Sequence, residues 1–380
     1  METLANKIKK YVDHCLARCR QCANCLAICP VMHPEEGIED LNQVGIGALN
    51  YHTDLSLKDH DIHKGFVKFI KECIQCGKCR NDCPASNFRD VMVLWQKYQL
   101  KDTPPVTTDH FQYRGGVQPF IKNIGINLFN IFKGVGMKEL SKHVDKTELR
   151  QCDTLFYFGC YIFSPTKLPA KTLKLANHLG MDYEVIGGLR SCCGWPQYLA
   201  GDFERAEELF EDLYALIKKV NPKQIITGCA ECYAAIWRLK NTKEESYEPL
   251  TTSQWLSKNM DKLGLSKEQE KITFHDACHL VRKIGNNEEA RTVLNEMANL
   301  VEMEQNRKQS LCCGYYQFNI NPPQVESLRA KKLVMAKATG AEKMAVECVT
   351  CLESYQPLAK KMGIEVVDVV DMVYERVFQG

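Results

Sequence analysis

Thr154-Leu155-Phe156-Tyr157-Phe158-Gly159-Cys160 is an apolar run of strand length that ends in a glycine and a lone cysteine, and it sets the reading of the back of this chain. Gln224 to Thr227 leads the same way into Gly228 and Cys229, with Cys232 three residues on. Tyr183 to Ile186 precedes Gly187 and then the adjacent pair Cys192 and Cys193, followed by Gly194. Between these runs Phe203, Ala206, Leu209, Phe210, Leu213 and Ile217 recur at helical spacing. Strand and helix in alternation predict small parallel α/β units. In such units the loops leaving the strands gather at one sheet edge, where ligands bind. The cysteines occupy those loops, so five thiolates far apart in sequence are expected to converge.

The pattern then repeats. Ile272 to Phe274 leads toward Cys278, Cys312 and Cys313 precede Gly314, and Met344 to Val346 leads into Cys348 and then Cys351. Val325, Leu328, Lys332 and Met335 mark the helix corresponding to 203–217. Cys160 to Cys278, Cys192 to Cys312 and Cys229 to Cys348 are separated by 118, 120 and 119 residues. So steady an offset identifies a duplicated module, with the first copy over 151–265 and the second over 266–380. Tetrahedral zinc and a regular cubane each use four sulfurs, so a fifth cysteine in both copies is surplus to either. Gly194 and Gly314 are expected to let backbone lie close to inorganic sulfide without a Cβ clash.

Two further blocks precede the modules: Cys19, Cys22, Cys25, Cys29 before Pro30, and Cys73, Cys76, Cys79, Cys83 before Pro84. Each is the bacterial-ferredoxin ligand run, in which three thiolates hold one cubane and the fourth, ahead of proline, reaches the other. One [4Fe–4S] cluster is therefore assigned to Cys19, Cys22, Cys25 and Cys83, and a second to Cys73, Cys76, Cys79 and Cys29. Zinc knuckles or disulfides would not need the trailing Cys-Pro. Ile62, Phe66, Phe69 and Ile70, and then Val91, Val93, Leu94 and Tyr98, recur at helical spacing around the second block, so residues 1–100 read as an α-helical two-cluster ferredoxin domain. Residues 101–150 connect it to the modules through an aromatic segment, Phe120 to Phe132, read as a packed helix or a docking surface. Cys15 and Cys152 fall outside every block and read as buried or incidental thiols. The residues alone lead to two unusual iron–sulfur sites fed by two ordinary ones, with redox-silent structural metal as the alternative.

Bulk properties narrow the function classes. The chain has 380 residues, 45% of them hydrophobic, which is room for two or three cores. With 49 basic against 47 acidic side chains and a net charge of +2, no global field recruits nucleic acid. Met1 to Tyr11 is charged and lacks the apolar core of a signal peptide, so twenty cysteines point to a reducing, cytoplasmic compartment rather than a disulfide scaffold. The greasiest stretch, Phe120 to Val135, is interrupted by Lys122, Asn123, Asn127, Asn130 and Lys133. No apolar run reaches the ~20 residues that span a bilayer.

These motifs resemble the heterodisulfide reductase family, in the form that fuses a ferredoxin part to two Cys-Cys-Gly domains, or its split equivalent in which those two parts are separate polypeptides. The likeness rests on Cys192-Cys193-Gly194-Trp195-Pro196 and Cys312-Cys313-Gly314, each with its upstream cysteine and downstream Cys-x-x-Cys, and on His275-Asp276-Ala277-Cys278-His279-Leu280 with Arg282. Ala277 stands where proline is common, and Tyr315 and Tyr316 replace glycines. The resemblance implies two noncubane [4Fe–4S] clusters, one on Cys160, Cys192, Cys193, Cys229 and Cys232 and one on Cys278, Cys312, Cys313, Cys348 and Cys351, facing each other across a pseudo-twofold. It implies reduction there of a small-molecule disulfide such as that of coenzyme M and coenzyme B.

Around the cysteines, His275 and His279 flank Cys278, as proton donors or as packing. Arg282 and Lys283 read as a grip for an anionic thiol coenzyme or as a solvated basic pair, and Trp195 and Tyr315 as cleft lining or packing. The chain has no G-x-G-x-x-G fingerprint and no Cys-x-x-Cys-His haem motif. It is therefore expected to work in a hetero-oligomeric complex, its electrons supplied by a flavoprotein, a hydrogenase or formate dehydrogenase component, a ferredoxin or a membrane cytochrome. Through such a partner it is expected to sit in the cytoplasm or on the inner face of the membrane. The competing function is an electron-transfer subunit of a lactate, glycolate, glycerol-3-phosphate or succinate enzyme or of a bifurcating flavoenzyme complex. Completeness of both quintets favours disulfide chemistry.

Overall fold

A computed structural model describes residues 2–19, 25, 28–30, 70–81, 83, 89–100, 140–285, 288–315 and 322–378. Cys22, Tyr316, the helical pattern at Ile62, Phe66 and Phe69, and the aromatic segment 120–132 lie outside the described residues.

Two helices of the N-terminal part, α1 (Leu4–Arg18) and α2 (Arg89–Leu100), pack on each other. The back half is two α/β modules. The first runs β1 (Thr154–Gly159), α3 (Leu168–His178), β2 (Glu184–Gly187), α4 (Trp195–Ala200), α5 (Phe203–Val220), β3 (Gln224–Thr227), α6 (Ala230–Thr242), β4 (Glu248–Thr251) and α7 (Thr252–Ser257). The second runs β5 (Lys271–His275), a π-helical turn (His279–Ile284), α8 (Glu288–Met297), β6 (Asn299–Leu300), α9 (Pro322–Ala338), β7 (Lys343–Val346), α10 (Val349–Met362), β8 (Glu365–Asp368) and α11 (Val369–Phe378).

Each module holds a four-stranded parallel sheet, ordered β2-β1-β3-β4 and β6-β5-β7-β8, so the two copies share one topology. The central strand β1 is buried along its whole length, which is why it reads as an unbroken apolar run. The helix over 203–217 forms as its stripe requires: Asp202 accepts from Arg205 N at 3.3 Å as N-cap, and Phe203, Ala206, Leu209, Phe210, Leu213 and Ile217 are buried. A capping box of Thr251 and Gln254 starts α7. The strands β4, β6 and β8 carry no strong sequence signal. All three are sheet edges; β4 opens Glu248-Pro249, β8 opens with an exposed glutamate, and β6 is two residues long.

The parts are joined by specific contacts. Val349 N donates to Gly228 O at 3.0 Å and Ser164 Oγ to Glu353 Oε1 at 2.6 Å between modules, and Lys171 pairs with Asp371. The N-terminal helices rest on the first module, where Tyr98 stacks on Phe203 at 5.0 Å and donates to Glu204 at 3.0 Å. Among the described residues, no helix is long and apolar enough to cross a membrane.

Candidate functional site

The cysteines stand at the carboxyl ends of the strands. Cys160 directly follows β1, Cys192 and Cys193 follow β2, and Cys229 is the residue before α6, with Cys232 in its first turn. In the second module Cys278 precedes the π-helical turn after β5, Cys312 and Cys313 follow β6, and Cys348 immediately precedes α10, which contains Cys351. All ten are buried except Cys192, which is half-buried.

Within the second quintet, Sγ atoms of Cys278 and Cys312 lie 3.5 Å apart, as do those of Cys313 and Cys351. In both copies one thiolate, Cys193 or Cys313, accepts hydrogen bonds from two thiols (Cys192 and Cys232; Cys312 and Cys351), which holds its pKa well below the usual range, and in the second copy Cys278 is lowered likewise by accepting from Cys312. The donors Cys192, Cys232, Cys312 and Cys351 are pushed well above it, first by giving those bonds and then by burial. The two quintets meet at their Cys-x-x-Cys ends. Ala230 N points at Cys348 Sγ at 3.4 Å, and Cys229 Sγ lies 3.7 Å from Thr350 Oγ1 of the other module.

Among the described residues, no group of three or more Cys, His, Asp or Glu is arranged to hold a single metal ion. The sulfurs form a string of neighbours instead, a soft donor set of the kind that iron–sulfur centres take.

The N-terminal cysteines open onto a cavity lined by Cys29, Cys73, Cys76 and Cys79, the four assigned to the second cubane, together with Cys25. Cys19 and Cys83 are half-buried, and Cys22 is not described. Gln75 and Gly77 take positive φ of 52° and 71°, which curls the loop and turns successive thiols inward. Burial pushes the Cys73, Cys76 and Cys79 thiols up, so they need a cationic core to become thiolates. Lys97 donates to Cys73 O at 3.2 Å, and burial lowers its pKa to about 8. A four-iron cluster fits this donor set.

Several sequence expectations change. Gly194 and Gly314 have a requirement within the protein itself. Both have positive φ (69° and 65°), and a Cβ would meet Leu209 Cβ and Val325 Cγ1 respectively at 2.9 Å, so it is packing against the following helix that requires glycine. Arg282 and Lys283 are not a solvated pair. Arg282 is buried and donates to the carbonyls of Cys76 (2.6 Å), Lys308 (3.1 Å) and Ser310 (2.6 Å). The side chain of Lys283 is largely covered and lies 3.7 Å from Asp90, which Arg80 grips at 2.7 and 2.8 Å.

His275 is held toward its neutral form. Burial, then the nearby Lys332, lowers its pKa to about 4, and it packs edge-on against Tyr355 with neither nitrogen hydrogen-bonded among the described residues. His279 keeps its place, with Nδ1 3.4 Å from Cys278 Sγ. Trp195 is buried between modules, its ring 5.0 Å from Tyr198 and 6.0 Å from His279. Tyr315 packs half-buried against the core, and Cys15 and Cys152 are buried thiols.

Some supporting residues escaped the sequence reading. Asp276, fully buried, accepts from Arg291 at 2.7 and 2.9 Å and from Arg307 N at 2.6 Å, tying the Cys278 loop to the stretch that leads to Cys312. Arg329 on α9 donates to Cys313 O at 2.7 Å. Asp276 stood in a cysteine motif and was legible by position; Arg329 had no local signal.

Comparison with known proteins agrees with this layout. The family described as "Cysteine-rich domain" matches residues 154–237 and 272–354, and "4Fe-4S dicluster domain" matches residues 18–87. The chain is similar to a subunit of the fumarate reductase (CoM/CoB) of Methanothermobacter marburgensis, at 24% identity over 380 residues covering 94% of this chain and 72% of that one. It is similar to a subunit of the dihydromethanophenazine:CoB–CoM heterodisulfide reductase of Methanosarcina barkeri, at 26% over 333 residues covering 82% and 78%. A shorter likeness, 24% over 271 residues covering 64% and 36%, is to the EtfAB:quinone oxidoreductase of Syntrophomonas wolfei.

Proposed function

This chain is an iron–sulfur oxidoreductase of the heterodisulfide reductase family, and from that premise we propose that it is the disulfide-reducing subunit of a multisubunit complex, acting on a substrate of the CoM-S-S-CoB type. The observation that carries the reading is the meeting of the two quintets through Ala230 N, Cys348 Sγ, Val349 N and Gly228 O. It sets Cys348 Sγ of one quintet against the backbone beside Cys229 of the other, which supports a reading in which one small molecule bridges both. Two of the relatives are named for coenzyme M and coenzyme B, which fits the same substrate class.

In this reading residues 1–100, an α-helical ferredoxin domain, hold cubane clusters on Cys19, Cys22, Cys25 and Cys83 and on Cys73, Cys76, Cys79 and Cys29. The modules 151–265 and 266–380 hold noncubane clusters on Cys160, Cys192, Cys193, Cys229 and Cys232 and on Cys278, Cys312, Cys313, Cys348 and Cys351. When bound, the clusters supply one-electron steps, two of which meet the two-electron demand of a disulfide. The chain's own residues position and shield the site. His279 Nδ1 lies 3.4 Å from Cys278 Sγ, which places its ring to pass a proton to a thiolate released there. Burial of nearly all the sulfurs limits water at the site; the S–S bond breaks as the disulfide takes up two electrons from the partner subunit and two protons, drawn from solvent through groups such as His279, to give two thiols. Reducing equivalents come from a partner subunit of the flavoprotein, hydrogenase, formate dehydrogenase or cytochrome type.

Anaerobic holoprotein with an artificial viologen donor should reduce CoM-S-S-CoB, and the oxidised protein should show a thiol-dependent EPR signal. Cys193→Ser and Cys313→Ser should each abolish both. Iron-loaded protein that shows neither signal nor disulfide reduction would be an electron conduit, not the reductase.

A further inference from the structure

Among the described residues, the N-terminal cysteine loop is fastened at its cluster end to the second module. Cys76 and Cys278 share a buried apolar cluster with Ile74, Leu311, Cys312 and Leu328. Across that seam the guanidinium of Arg282 joins Cys76 O to Lys308 O and Ser310 O, carbonyls that lie four and two residues before Cys312. Next to it Lys283 reaches Asp90, itself held by Arg80 from the cysteine loop. Both cations come from the π-helical turn after Cys278, a geometry that recurs at functional sites. The corresponding turn after Cys160 is a 3-10 turn, Cys160–Phe163, followed by Ser164, which is spent on Glu353 of the other module. That turn, Cys-Tyr-Ile-Phe, carries no cation.

Resting on the function just proposed, we infer that Arg282 is a positioning residue for electron delivery: it clamps the Cys73–Cys79 loop to the second module, so that electrons arrive at the Cys278–Cys312 end of the paired quintets first. The step moves one electron from the reduced site in the Cys73–Cys79 loop to the second quintet, with the donor resupplied by an added one-electron reductant. Three donors of a planar fork reach three carbonyls, of which those of Cys76 and Ser310 are buried and would be costly to leave unpaired, and this fixes the separation of the two sites. The same buried positive charge lies close to Cys76, Cys278, Cys312 and Cys79. It favours the more reduced, more negative state of the sites on both sides of the seam.

The test uses anaerobic holoprotein with reduced methyl viologen and no disulfide, so that failure of the reductase reading leaves it standing. Freeze-quench EPR on Cys193→Ser and Cys313→Ser shows which remaining quintet is reduced promptly. The expected result is prompt reduction of the second quintet in Cys193→Ser and delayed reduction of the first in Cys313→Ser. In Arg282→Gln, a redox titration should show the second quintet's one-electron equilibrium shifted by about tenfold, roughly 59 mV downward. The first quintet should be unmoved, and Arg282→Lys, which keeps charge but not the fork, should recover most of that shift but not the arrival rate. Equal shifts in both quintets, no shift in either, or prompt reduction of the first quintet in Cys313→Ser would overturn the inference. If Arg282→Gln fails to fold, the order of reduction in the two cysteine variants decides alone.

Discussion

Replacing Gly314 by alanine separates a packing requirement from a cofactor requirement. Gly314 sits at φ 65°, where a Cβ costs about 1–2 kcal/mol. That Cβ would lie 2.9 Å from Val325 Cγ1, well inside ordinary carbon contact, and overpacking of this kind adds about 1–3 kcal/mol. Gly314→Ala is therefore expected to destabilise the second module by about 2–5 kcal/mol. Val325→Ala alone loses two buried methyl groups, about 2 kcal/mol. In the double variant the new Cβ occupies the space Val325 leaves, so the combined loss should fall short of the sum by about 1–3 kcal/mol. The assay is anaerobic denaturation of wild type, both single variants and the double variant, with iron content measured on each. Losses that simply add, to within about 0.5 kcal/mol, would show that the glycine answers to something other than α9 and refute the reasoning. Gly194 offers an internal contrast: its Cβ would meet Leu209 Cβ at 2.9 Å and Ala206 O at 3.1 Å, so Leu209→Ala, which keeps the clashing Cβ, should not rescue Gly194→Ala.

Lys332, buried on α9 with Nζ donating to Gln305 O and Ser310 Oγ, has its pKa lowered to about 7, chiefly by burial. Because the unfolded chain binds the extra proton between about pH 7 and 10.5, stability should rise with pH across that window, by on the order of 4–5 kcal/mol, and Lys332→Met should flatten the slope in pH-dependent denaturation. Arg291→Leu strands the fully buried Asp276 and should cost about 3–5 kcal/mol, whereas Arg291→Leu with Asp276→Asn should recover part of that loss, read in the same denaturation assay.

Much of the fold was legible because the strongest strands are the central ones. The runs into Cys160, Cys229 and Cys348 are apolar since sheet neighbours and helices cover them, and covered strands have no polar face to obscure the pattern. Of the four edge strands, β2 was legible because it is apolar and buried, whereas β4, β6 and β8 were not, because charge, proline or brevity that blunts an edge also blunts its pattern. The cysteine blocks were legible because their local spacing carries the signal. The roles of Arg282, Lys283 and His275 were not: a basic pair beside a cysteine motif looks the same whether it faces a substrate or closes a seam.

What the sequence by itself determined is therefore periodic and local: a duplicated parallel α/β module, two ferredoxin-type ligand runs, and the repeated order of the ten module cysteines. What only the tertiary structure decided is relational. It joins Cys348 to Ala230, sets Cys76 beside Cys278, and turns Arg282 from solvent to the buried carbonyls of Cys76 and Ser310. Local periodicity reports which face of an element is apolar, but not which other element will cover it. Between Arg282 and Cys76 the covering element lies some two hundred residues away, and the burial it imposes is what commits a guanidinium to carbonyls. Burial of the same kind holds His275 neutral.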